Sequence, residues 1–119
     1  MLTDHQQQVR TQLRAHSAVG ELLIRQHQDP GLVRHLMVWT MTAGRLHGEP
    51  DVRDDAAREA AIVAWAEVIG LIVEKTSIPG RPVELSAKGP YTPVGGDPIW
   101  IDLAATLYGS DDDDTGPIG

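Results

Sequence analysis

The chain has 119 residues, 41% hydrophobic and 23% charged, which suits one folded domain and is too short for two ordinary ones. It contains no cysteine, which excludes disulfides, thiolate metal sites and thiol nucleophiles. The net charge is −7, but four acids form the run Asp111 to Asp114, and the other 13 acids against 10 bases leave the body at −3, no footprint for a phosphate backbone.

The first residues show no basic-then-apolar leader. No apolar run approaches the roughly 18 residues that a bilayer span requires. A soluble cytoplasmic protein without membrane contact is therefore expected. Phenylalanine is absent, so Trp39, Trp65 and Trp100, with the aliphatics, must anchor the core.

In chain order, residues 3 to 28 read as an amphipathic helix. At 100° per residue, Leu2, His5, Leu13, His16, Gly20, Leu23, Ile24 and His27 fall within about 60° of Val9. Gln7, Arg10, Arg14, Glu21 and Arg25 lie opposite. Asp29-Pro30-Gly31 stops the helix, because proline disfavours a helical residue before it. Residues 32 to 48 suit either a helix face or a hairpin. The β-branched and bulky run Met37 to Thr42, a two-residue turn at Ala43-Gly44 and a return over Arg45 to His47 favour the hairpin, closed by Gly48-Glu49-Pro50.

Residues 51 to 69 are the clearest helix, with Asp51 as its expected cap and Asp54 in a capping-box position. Ile62, Trp65, Ala66 and Ile69 form its apolar face, and Gly70 suits a left-handed cap. Leu71 to Lys75 then reads as a buried strand, or as a continuation of the helix. Residues 83 to 88 alternate, with Val83, Leu85 and Ala87 on one side. A loop over 89 to 98 follows. Ile99, Ile101, Leu103, Ala105 and Leu107 alternate with Trp100, Asp102, Ala104, Thr106 and Tyr108 in a strand expected to pair with 83 to 88.

The expectation is one α+β domain over residues 1 to 109, in the order α-β-β-α-β-β-β. Its sheet is mixed or antiparallel, with helices on one face burying both amphipathic stripes. An acidic, disordered tail is expected over residues 110 to 119.

The segments Leu36-Met37-Val38-Trp39-Thr40, Gly44-Arg45-Leu46-His47-Gly48 and Ala64-Trp65-Ala66-Glu67-Val68-Ile69-Gly70-Leu71 resemble a group of small actinobacterial and actinophage proteins. In that group a Leu-x-x-Trp-Thr strand, a Gly-x-Leu-x-Gly strand and a Trp-containing helix ending in Gly follow one another. The resemblance covers about 40 residues and consists of packing motifs. It implies the β-β-α-β order and an accessory role in phage or mobile-element biology, and it brings no catalytic residue with it.

His5, His16 and His27 recur every eleven residues, almost three helical turns, so they share one stripe. Successive imidazoles lie about 16 Å apart along the axis, too far to share one metal within a chain. A helix face packed at its middle accounts for them equally. His35 and His47, with Glu49 and Asp51 near, suggest acid–base chemistry in a small enzyme, but no nucleophile accompanies them. Arg10, Arg14, Arg25, Arg34 and Arg45 would serve a nucleic-acid binder only if they converged on one face.

No catalytic, cofactor-binding or metal-binding residue is assigned, and no cofactor is expected. The leading expectation is a non-catalytic interaction protein, homodimeric through Val9, Leu13, His16, Leu23 and His27 on the first helix, a stripe that a short sheet would not cover entirely. Tyr91, Val94 and Trp100 are a second candidate surface, for a protein partner at the loop. Nucleic acid is not expected as a partner.

Overall fold

In the computed structural model the described residues are 3–42, 45–94 and 96–109. The acidic tail, Leu2 and the Ala43-Gly44 turn lie outside them. Helix α1 spans Asp4–Gln28. Its start is a capping box: the Thr3 hydroxyl accepts the Gln6 N–H, and the Gln6 side chain accepts the Thr3 N–H. Its end is held by Asp29, whose carboxylate accepts the Gly31 N–H at 2.9 Å.

The hairpin expectation holds. Strand β1 (Met37–Thr42) pairs antiparallel with β2 (Arg45–Pro50), and the ladder runs to Met37↔Pro50. One further bond, from the Asp51 N–H to the Leu36 carbonyl at 2.8 Å, keeps residue 51 at the end of that ladder. This is why α2 begins later than its acidic run suggests, at Asp55–Ile69, with Asp54 as the cap that accepts the Ala57 N–H. Gly70 ends α2 with φ +93°, where an L side chain is strained.

The expected strand over 71 to 75 contracts to β3 (Glu74–Thr76), because Leu71 and Val73 turn onto the core instead. Strand β4 (Val83–Tyr91) runs three residues further than expected, and the loop before β5 (Ile99–Leu107) shortens to 92–98. Pro90 is tolerated in β4 because β3 pairs only as far as Ser86, leaving that side of the strand without a neighbour.

The five strands form one mixed sheet in the order β1-β2-β5-β4-β3. Neighbours are antiparallel except β2 and β5, which run parallel with His47 opposite Asp102. Both helices pack on one face. There Leu46, Leu85, Ala87, Ile99, Ile101, Leu103 and Ala105 meet Ala15, Ala18 and Leu22 of α1 and Ile62, Trp65 and Ala66 of α2. Among the described residues, the other face carries Val38, Thr40, Arg45, His47, Glu49, Lys88, Trp100 and Asp102 without a covering layer.

Trp65 is fully buried and donates its indole N–H to the His35 carbonyl at 2.8 Å. Trp39 meets it edge to face, with ring centroids 5.2 Å apart and planes at 81°. Trp39 lies across Gly48, its ladder partner. A Cβ on Gly48 would stand 2.6 Å from the indole Cζ3, so glycine is required there.

The sheet does not bury α1 through its apolar stripe. The buried residues are Ala15, Ala18, Leu22 and Gln26, on the opposite side from Val9. Two physical reasons favour that side. Ala15 and Ala18 let the helix approach closely, and the Gln26 amide donates to the Leu32 and His35 carbonyls at 3.3 and 3.2 Å, adding to the turn bonds that the Leu32, Val33 and His35 N–H groups make within the connection.

Candidate functional site

The consequence is a long helix with its apolar stripe outward. Val9 is 53% exposed, Leu13 62%, Leu23 47% and Ile24 60%. His5, His16 and His27 are exposed on the same stripe. Residues 3 to 10 are exposed all round, so the first turns stand clear of the sheet. A short helical segment without tertiary contact has little stability of its own, and an apolar stripe left in water is unfavourable. Of the candidate interface residues, Val9, Leu13, His16, Leu23 and His27 are therefore all brought to one accessible surface.

Beside the N-terminal half of the stripe lies an open groove of about 760 Å³. Val9, Leu13 and His16 form its α1 wall, and Met41 and Thr42 of β1 form the other. On the far side, α1 is braced by the 92–98 loop. Glu21 accepts the Tyr91 hydroxyl, and also the Val94 N–H at 2.8 Å, while Arg14 pairs with Asp97 at 3.6 Å. Burial, then the hydrogen bond and charge of Glu21, push the Tyr91 pKa up to about 12, so the phenol stays protonated as the donor.

The three candidate loop residues do not form one surface. Tyr91 is engaged against α1. The Val94 side chain is exposed on the loop. Trp100 is 41% exposed on the uncovered sheet face, opposite Pro90.

The uncovered face holds the main polar cluster. His47 Nδ1 lies 2.9 Å from Asp102 and its Nε2 lies 2.8 Å from Glu49. Arg45 stands 4.0 Å from the second Asp102 oxygen. Partial burial alone would lower the His47 pKa, but the hydrogen bonds and charges of Glu49 and Asp102 outweigh it and hold the value above 6.5. Both ring nitrogens are thus engaged by carboxylates, and which of them donates depends on the protonation of the imidazole. His35 is not part of this cluster. It precedes β1, whereas His47 sits opposite Thr40 in mid-strand.

Sequence reasoning linked His47 to Glu49 but missed Asp102, the closest partner on another strand. Its signal was the polar position facing away from the apolar side of β5, and finding it required the parallel β2–β5 pairing. Glu21 was also missed as the brace of the loop. Neither has a local sequence signature.

Among the described residues no group of three His, Asp or Glu is arranged to hold a metal ion, and no helix is long and apolar enough to cross a membrane. The arginines do not converge: Arg10, Arg14 and Arg25 lie on α1, Arg34 before β1, and Arg45 on the uncovered sheet face. What the described residues present is an exposed apolar stripe on α1 and a hydrogen-bonded polar cluster on the opposite face of the sheet. Compared with family models, with curated proteins and with solved structures, the chain matches none.

Proposed function

We propose that the chain is a non-catalytic interaction protein that works as a homodimer, with the outward stripe of α1 as its contact surface. The observation that carries this reading is the exposure of Val9, Leu13, Leu23 and Ile24 on one side of a helix whose other side is already packed. Covering half-exposed aliphatic side chains removes apolar surface from water, at about 25 cal/mol per Å² before the costs of association. Pro93, Gly96 and Asp97 of the loop lie beside Leu13 and would widen the surface for a protein partner. The His47 cluster does not favour a competing catalytic reading, because both of its ring nitrogens are engaged by carboxylates of the same chain.

The test is molar mass by light scattering after gel filtration, for the native chain and for Leu13→Glu and Ile24→Glu. Deleting α1 would be uninformative, since Ala15, Ala18 and Leu22 belong to the core. The glutamates sit on exposed positions and should leave the circular dichroism spectrum unchanged. A native dimer that each glutamate converts to monomer supports the reading; a native chain that stays monomeric at every concentration refutes it.

A further inference from the structure

Resting on the homodimer reading, we infer that the second copy docks antiparallel along α1, about a two-fold axis at His16, so that its Leu23 and Ile24 enter the groove beside Val9 and Leu13. Two observations point to this arrangement.

The first is the spacing of the outward positions. Val9 and Leu23 stand seven residues either side of His16, and His5 and His27 stand eleven either side. These five positions read alike from both ends and so are self-complementary under a two-fold axis, the commonest symmetry of soluble homo-oligomers. Antiparallel pairing about His16 sets Val9 against the partner's Leu23 and His5 against the partner's His27.

The second is an asymmetry of shape. The N-terminal half of α1 borders the groove formed with Met41 and Thr42, whereas Leu23 and Ile24 project from the C-terminal half, away from that groove. The two-fold brings projection to groove twice. A parallel pair would set groove against groove and Leu23 against the partner's Leu23, leaving the cavities unfilled. Gly20, with open space around its Cα, lets the partner's helix come close.

Contact can extend along a helix of 25 residues, about 37 Å. A single helix pair of that length lies near the lower end of specific interfaces, so the dimer should dissociate on dilution.

The chain has no cysteine, so single cysteines report pairing without background. His16→Cys, Val9→Cys and Leu23→Cys are each oxidised mildly, alone and as an equimolar mixture of the last two, and followed by non-reducing electrophoresis. A disulfide needs Cα atoms within about 7 Å. The arrangement therefore predicts that His16→Cys cross-links with itself. Val9→Cys and Leu23→Cys alone should give little product, since like positions would be about 21 Å apart along the axis. Their mixture should give several-fold more. Self-linking of Val9→Cys and of Leu23→Cys, without a gain on mixing, would overturn the antiparallel docking. So would a chain that is dimeric in light scattering while none of the three cross-links. Those outcomes leave the homodimer reading standing, whereas a monomeric native chain removes that reading and this inference together.

Discussion

Trp39 and Gly48 are paired residues that depend on each other: the indole fills the space that any side chain at position 48 would need. Gly48→Ala should destabilise the fold by about 1–3 kcal/mol through this overpacking, read as a lower urea midpoint. An unchanged midpoint would mean that Trp39 can move aside at no cost. At His47 the prediction concerns pH. The folded pKa lies above 6.5, so its stabilisation is full below that pH and is lost as pH rises through the folded value. The gap in melting temperature between the native chain and His47→Gln should be widest near pH 6 and should narrow in alkaline buffer. A gap that stays constant from pH 6 to 9 would contradict the paired imidazolium. Half of this cluster was legible, because His47 and Glu49 are two apart on one strand and so share a face. Asp102 was not, because strand neighbours distant in sequence are decided by the folded sheet.

The elements themselves were largely legible, since apolar periodicity and turn residues are local signals. Both helices, the hairpin and the pairing of β4 with β5 emerge in the expected order. The errors lie where tertiary contact overrides them. The ladder bond from Asp51 delays α2, and pairing with β5 carries β4 through Gly89-Pro90-Tyr91. The largest error is the direction of α1. Its stripe was found, but hydrophobicity alone favoured burying that stripe, whereas the sheet accepted the side with small residues and Gln26. Adjacent leucines test this orientation. Leu22→Ala should cost about 2–5 kcal/mol, as a fully buried leucine does, and Leu23→Ala under about 1 kcal/mol, both read by chemical denaturation of the dilute monomer. Equal costs, or the reverse order, would mean that α1 packs through its apolar stripe.

At the scale of the whole molecule, the two faces of the structure have different characters. Behind the sheet, charges answer one another within the chain: Asp102 and Glu49 hold His47, and Arg45 approaches Asp102. Across α1, apolar side chains are left exposed among the described residues, and the groove next to them is open. We propose on this basis that the function lies in association rather than catalysis, with a second copy covering the stripe. Sedimentation equilibrium of the native chain over a wide concentration range, beside the Leu13→Glu/Ile24→Glu double variant, tests that claim most directly. The account predicts a native mass that climbs from 12.9 kDa towards twice that value, and a double variant that stays at 12.9 kDa while remaining folded. A native chain fixed at 12.9 kDa, or a double variant that associates as the native chain does, would contradict it.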